Sequence, residues 1–376
     1  MSSPTVSLRA PSGAEAVPVS DLRVSAYVIP TDHPESDGTL EWSATTLVVV
    51  ELEAGGLVGL GYTYADRATA TFVDEVLRPV IVGADVLDSA ALFAAMARAV
   101  RNHGFAGVAA MAISAVDTAL WDAKARLLDL PLVKLLGAAR DAVPVYGSGG
   151  FTSYSVARLC QQLAGWVAAG IPCVKMKIGR DPPADVARVR AVRQAIGPAT
   201  EIFVDANGAY ERRQALAFAR RFADLGVTWF EEPVSADDLA GLRLARDRAP
   251  APVRIAAGEY GYRGFYFRRM LAAGAVDVLQ ADASRCGGPT GFLRVAALCD
   301  AWPIPLSAHC APALHLHVCL AAPRLLNLEY FHDHARIEGL LFDGARAPAN
   351  GLLRADLTRP GLGLVFKRRD AERFVA

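Results

Sequence analysis

From Val143 onward the chain repeats one pattern, and that pattern leaves few folds open. Short apolar runs centre near Val145, Met176, Phe203, Trp229, Ala256, Leu279, Leu306 and Leu328. They recur at intervals of roughly 20 to 31 residues, room for a loop, a helix and another loop. Two intervening helices can be read directly. Residues 185–196 set Val186, Val189, Val192 and Ile196 on one face, and residues 211–224 repeat Ala215, Phe218, Ala219 and Phe222 at helical spacing. Apolar runs of this length between helices are buried parallel strands. Eight of them argue for a closed barrel rather than an open sheet. No Gly-x-Gly-x-x-Gly follows the first strand, which tells against a dinucleotide fold.

The preceding residues follow another rule. Residues 1–18 are small and polar and read as a loose tail. Residues 21–29 and 45–53 read as strands, with 30–43 as a polar loop broken by Pro30, Pro34 and Gly38. Ala54-Gly55-Gly56 turns the second strand into a return over 57–63. Helices are expected over 69–82, over 89–101 with Asp88 as N-cap, and over 106–128. Strands followed by helices make an α+β unit over residues 19–135, ahead of a barrel over 136–340. Residues 341–376 are rich in Gly and Pro. They are expected to leave the barrel and return to the first unit.

Lys+Arg and Asp+Glu number 39 each, so the formal net charge is zero. That balance argues against nucleic acid or an anionic membrane as the main partner and makes any strong field local. The six cysteines show no Cys-x-x-Cys spacing and suit the reduced thiols of a cytoplasmic protein. No signal segment opens the chain, and no run of 18 apolar residues suits a membrane span.

The local field is found at the strand ends. The second strand ends on Lys175 and Lys177, which share a face, and the third on Asp205 and Asn207. The next five bring Glu231, Glu259, Asp282, His309 and Glu329. In a parallel barrel these ends meet at one mouth. Burying so many charges costs several kcal/mol each unless they pair or bind a metal. Asp205, Glu231 and Glu259, from adjacent strands, would repel one another and raise their own pKa values. A hard divalent cation removes that repulsion, and oxygen-only ligands suit Mg²⁺, with Mn²⁺ as runner-up. Asn207 is a neutral support. Asp282 beside His309 would fix the imidazole tautomer. Glu329, if protonated, would donate to a substrate carboxylate.

The ordered set resembles the enolase superfamily, and within it the mandelate racemase subgroup. The matching pieces are Lys175-Met176-Lys177, Val204-Asp205-Ala206-Asn207-Gly208, Phe230-Glu231-Glu232-Pro233, Ala257-Gly258-Glu259, Gln280-Ala281-Asp282, Ser307-Ala308-His309 and Leu328-Glu329. The segment from Ala112 through Trp121-Asp122 to Leu136-Gly137 also resembles a helix of that family. The resemblance implies an α+β capping domain over a modified (β/α)7β barrel, with Mg²⁺ on Asp205, Glu231 and Glu259. It implies removal of the proton α to a carboxylate through an enediolate, with Lys175 stabilising charge and Lys177 and His309 moving protons. The expected substrate is a small carboxylate. The favoured outcome is dehydration of an acid sugar to a 2-keto-3-deoxy acid. A racemase or epimerase of a 2-hydroxy acid and a lactone cycloisomerase are alternatives. A Schiff-base aldolase and a non-catalytic binding protein of the same fold are the weaker ones. The resemblance also implies a homo-oligomer.

Specificity is expected in the capping loops. His33 and Trp42 of the first loop are candidate substrate contacts, with Tyr146 and Ser148 on the first strand and Arg285 after the sixth. The remaining histidines have ordinary readings: His315 and His317 as packed, His103 at a helix end, and His332-Asp333-His334 as hydrogen-bonded loop residues rather than a second metal site.

Overall fold

The computed structural model describes residues 16–376, so most of the tail expected over 1–18 lies outside the described residues. Strands β1 (Val19–Ser36), β2 (Glu41–Ala54) and β3 (Leu57–Tyr64) form an antiparallel sheet in that order. The polar stretch after Pro30 is not a loop. A register shift between Pro30 and Glu35 absorbs both prolines, and pairing resumes at Glu35 with Trp42 and Ser36 with Glu41. The bulge lets an edge strand carry prolines that have no N–H to donate. The result is a hairpin arm that extends past the sheet.

The expected helix over 69–82 is three pieces: α1 (Ala68–Phe72), a π-helical turn (Val73–Leu77) and α2 (Arg78–Ile81). Pro79 explains the break, because it cannot donate to an earlier carbonyl and its ring crowds one. Helices α3 (Ser89–Ala99) and α4 (Val108–Leu127) follow. The alanine-rich α4 lies directly on β3. A Cβ at Gly61 would sit 2.0 Å from the Ala115 carbonyl oxygen, so only glycine permits this approach. Helix α5 (Leu132–Leu136) leads to the barrel.

The barrel strands are β4 (Val143–Gly149), β5 (Cys173–Lys177), β6 (Glu201–Asp205), β7 (Val227–Glu231), β8 (Arg254–Ala257), β9 (Val278–Ala281), β10 (Leu306–Ala308) and β11 (Leu325–Phe331). Each pairs in parallel with the next, and β11 closes on β4 through Leu328 with Val145 and Glu329 with Tyr146. The helices between them are α6 (Val156–Ala168), α7 (Pro182–Ile196), α8 (Arg212–Ala223), α9 (Leu239–Arg248), α10 (Gly264–Ala272), α11 (Gly288–Ala301) and α12 (Pro312–Ala321). Helix α8 buries Ala215, Phe218, Ala219 and Phe222, the face its spacing marked. Inside the barrel Tyr146, Phe203, Trp229, Ala256 and Val278 form a separate apolar layer. Phe203 and Trp229 lie two residues before Asp205 and Glu231, so this layer is the floor beneath the charged mouth.

A ten-residue helix, α13 (His332–Leu341), follows β11 and carries side chains to the cap. The Tyr62 hydroxyl donates to Glu338 and the Thr45 hydroxyl to Asp333. The tail then touches both units. Leu352 and Leu353 pair with Pro144 and Val143, Phe366 packs on Tyr27, and Ala376 N–H donates to the Ala26 carbonyl of β1. Among the described residues no helix is long and apolar enough to cross a membrane.

Candidate active site

Strand ends β5 to β11 bring Lys175, Lys177, Asp205, Glu231, Glu259, Asp282, His309 and Glu329 to one mouth, and all eight are buried. The period of two puts both lysines on the inner face of β5. Lys175 Nζ lies 2.6 Å from Glu231, 2.9 Å from Glu329 and 3.6 Å from Asp205. Lys177 Nζ lies 2.5 Å from Asp205. These contacts decide the protonation states. Burial opposes the Lys175 charge, but Glu231 and Glu329 outweigh it and hold the ammonium well above the ordinary range. Burial likewise opposes the Lys177 charge, and Asp205 overcomes it. Asp205 falls below its ordinary value against the cost of burial, chiefly through Lys177 and then Lys175. Glu231 moves the other way, pushed up by burial and by Asp205 beside it.

Asp205, Glu231 and Glu259 each place a carboxylate oxygen within 4.8 Å of the other two. Among the described residues Glu259 Oε2 is buried with no hydrogen-bond partner, as is Oε1 of the neighbouring Glu232. Three converging carboxylates, with an orphaned buried oxygen among them, fit a hard divalent cation with oxygen preference.

On the other side, His309 Nδ1 lies 2.8 Å from Asp282 Oδ2. Asp282 Oδ1 accepts from the Ser284 N–H and hydroxyl, each at 2.7 Å. Burial works against the Asp282 charge, yet the His309 hydrogen bond and His315 hold the carboxyl well below the usual range. An ionised Asp282 fixes His309 with its proton on Nδ1 and turns Nε2 toward the mouth. The His309 pKa rises despite burial, mainly through Glu259 and Asp282. Strands β5 and β10 stand across the barrel, so Lys177 and His309 face each other over the carboxylates.

Four sequence expectations change here. Glu329 is no hydrogen-bond donor: Lys175, Ser148 at 2.6 Å and the Cys310 N–H at 3.1 Å surround it, and Lys175 overcomes burial to keep it ionised. Tyr146 does not touch the substrate space, because it lies in the apolar floor with its ring 5.4 Å from Lys175 Nζ. His33 is exposed on the arm, with the edge of Tyr154 6.2 Å away. His332, Asp333 and His334 belong to the first turn of α13 rather than a loop, though all three are engaged: His332 with Asp32 at 3.0 Å, Asp333 with Thr45, and His334 stacked on Tyr64.

Two other candidates, Asn207 and Arg285, lie against ring residues. Asn207 is buried, its N–H donates to Asp205 at 2.9 Å, and its side-chain oxygen has no hydrogen-bond partner among the described residues. Arg285 is partly exposed, 3.5 Å from Asp282 and 3.7 Å from Glu259. Trp42 stands edge-on to Phe151 just beyond β4 and donates to Glu35 at 3.0 Å. Burial and Asp333 push the Glu35 carboxyl up to about 8, so a group read only as loop polarity is a buried acid. Glu232 and Cys310 were not singled out from the sequence. Each follows a ring residue in a left-handed conformation, with φ of 39° and 54°. The second Glu of Glu231-Glu232-Pro233 was the available signal for the first. A cavity of about 790 Å³ lined by Phe93, Arg98, Arg263 and Phe265 lies elsewhere, between the cap and α10, and contains none of the ring residues.

Comparison with known proteins agrees with this geometry. Residues 24–137 match the mandelate racemase/muconate lactonizing enzyme N-terminal domain, and residues 156–371 match the enolase C-terminal domain-like family. The 3,6-anhydro-alpha-L-galactonate cycloisomerase of Streptomyces coelicolor is 35% identical over 93% of this chain and 97% of its own. The L-talarate/galactarate dehydratase of Salmonella typhimurium is 31% identical over 82% of this chain and 80% of its own. A mandelate racemase/muconate lactonizing enzyme-like protein from Rubrobacter xylanophilus superposes with a TM-score of 0.94 at 56% identity, covering 96% of this chain and 100% of that one. A Streptomyces coelicolor racemase with bound magnesium gives 0.90 at 33% identity, over 95% and 100%. With both domains matched in order, the chain belongs to the mandelate racemase/muconate lactonizing enzyme family of the enolase superfamily.

Proposed function

We propose that this chain is an enzyme that removes the proton α to a carboxylate. On an acid sugar it then expels the β-hydroxyl to give a 2-keto-3-deoxy acid. The observation that carries the reading is the opposition of Lys177 and the His309–Asp282 pair across Asp205, Glu231 and Glu259. Mg²⁺ held by those three carboxylates would supply positive charge where the substrate carboxylate becomes a dianion, and Mn²⁺ suits the same oxygen donors. Lys175, fixed by Glu231 and Glu329, presents an ammonium to the same charge and costs no reorganisation when it develops.

Lys177, once neutral, takes the α-proton from one face. Its ion pair with Asp205 favours the ammonium, so it becomes a base as that contact loosens. His309, held by Asp282 and raised in pKa, gives the Nε2 proton to the departing hydroxyl, which leaves as water; the resulting enol becomes the keto acid. If His309 instead returned a proton to the α-carbon, the product would be an epimer.

A second reading, cycloisomerisation of a lactone or another cyclic sugar-acid derivative, is supported by the 35% identity to the anhydrogalactonate cycloisomerase and by 31% identity to a D-galactarolactone cycloisomerase of Agrobacterium fabrum. The test is a library of sugar acids, their lactones and 2-hydroxy acids, incubated in D₂O with Mg²⁺ or with chelator. Keto-acid formation and α-deuterium incorporation with Mg²⁺, both lost in chelator, are expected. No α-exchange on any library member would sink proton abstraction. Exchange with lactone isomerisation and no keto acid would select the second reading.

A further inference from the structure

Cys310 has no part in the proton transfers above, yet its thiol lies against the atom that performs one of them. In a regular strand, residue 310 would face away from residue 309. Positive φ at Cys310 and Ala311 turns the chain just after β10, so both side chains face the mouth. Cys310 Sγ lies 3.2 Å from His309 Nε2 and 3.5 Å from Glu329 Oε2, and those two atoms are 3.8 Å apart.

That triangle has the size of one face of a tetrahedral zinc sphere. Bonds of about 2.3 Å to sulfur and 2.0–2.2 Å to nitrogen and oxygen set ligand-to-ligand edges of roughly 3.4–3.6 Å. The ligands are oriented from behind as metal ligands are. Asp282 holds His309 Nδ1 at 2.8 Å, which frees the Nε2 lone pair. Ser148 and the Cys310 N–H fix Glu329. The buried Oε2 of Glu259, which has no hydrogen-bond partner among the described residues, lies 3.4 Å from the same Nε2.

We propose that His309 Nε2, Cys310 Sγ and Glu329 Oε2 form a second cation site, selective for thiophilic divalent ions of the zinc class. It differs from the oxygen-only site of Asp205, Glu231 and Glu259 by its sulfur and nitrogen donors. On binding, the thiol proton goes to solvent and the Nε2 lone pair goes to the ion. His309 can then neither give nor take a proton, so the ion acts as an inhibitor. That consequence rests on the proposed role of His309; the binding itself does not.

The test uses the full-length protein in excess Mg²⁺, with Co²⁺ as probe. The wild type is expected to show a thiolate-to-cobalt charge-transfer absorption. Cys310→Ser and Cys310→Ala should lack it, while Lys177→Met should keep it. No band in the wild type, or a band that survives both Cys310 substitutions, overturns the site. On any substrate found by the library, Zn²⁺ should inhibit Cys310→Ser at least about tenfold less strongly than the wild type. Equal inhibition of the two refutes the inhibitory role. The absorption is read without turnover, so loss of the proposed function would not hide loss of the site.

Discussion

Replacing Lys175 with methionine removes one charge and little volume from the centre of the ring. Three buried carboxylates then lose a common partner: Glu231 at 2.6 Å, Glu329 at 2.9 Å and Asp205 at 3.6 Å. Breaking a buried ion pair from one side costs about 3–5 kcal/mol, because the remaining charge stays buried. Asp205 keeps Lys177, and Glu231 is already pushed toward its neutral form, so the loss falls mainly on Glu329. The expected loss is therefore about 4 kcal/mol at neutral pH, read from urea unfolding in chelator. Its pH dependence has a definite sign. Lys175 keeps the folded-state pKa of Glu329 well below the ordinary 4.5, so this contribution is fully present above 4.5 and is lost as pH falls from there through the lower folded-state value. The gap between wild type and Lys175→Met should be full at pH 7 and begin to shrink only below about pH 4.5, narrowing steadily with further acid. A loss under about 1 kcal/mol at pH 7, or one that widens with acid, would refute the claim that Lys175 neutralises the ring.

Four further substitutions probe other parts. His309→Asn should lower keto-acid formation by about 10²–10⁴-fold while α-deuterium exchange through Lys177 persists, and Lys177→Met should lose that exchange; undiminished dehydration in His309→Asn would remove His309 as the acid. Burial lowers the His317 pKa to about 4 from 6.5, so its neutral form stabilises the fold above pH 6.5 and that stability is lost as pH falls toward 4. The group accounts for about 3 kcal/mol, and unfolding curves of wild type and His317→Gln that stay parallel from pH 7 to 4 would show otherwise. Gly38→Ala places a Cβ 2.4 Å from the Ala206 carbonyl oxygen and 2.7 Å from that of Ile178, which lifts the arm from the mouth. KM should rise about tenfold or more, with metal affinity held, and an unchanged KM would separate the arm from substrate binding.

The convergence of charges was legible because strand period and strand direction are properties of the chain itself. Lys175 and Lys177 two apart, and carboxylates closing successive runs, need no tertiary knowledge beyond a parallel barrel. What stayed hidden depends on distances between strands. Whether Tyr146 points to the mouth or the floor follows from the stagger between β4 and β11, which no single strand encodes. Whether Glu329 carries a proton follows from Lys175, over 150 positions away in sequence. Glu232 and Cys310 escaped for a local reason. Each sits in a left-handed turn that reverses the alternation of faces, so a residue expected to point outward shares the pocket with its predecessor. The arm beyond Pro30 escaped because a bulge let pairing continue past two prolines.

The pairing of β1 with the end of the tail sets a timetable for synthesis. One side of β1 meets β2, while the other is met near Tyr27 by Val375 and at Ala26 by Ala376. Those partners emerge roughly 350 residues after the strand they cover, a wait of about 20 to 70 s at 5–20 residues per second. During that wait the outer edge of β1 offers unpaired N–H and C=O groups to any neighbouring chain. The yield of folded protein should therefore depend on how crowded the translating ribosomes are, and on whether a chaperone shields that edge until the tail arrives.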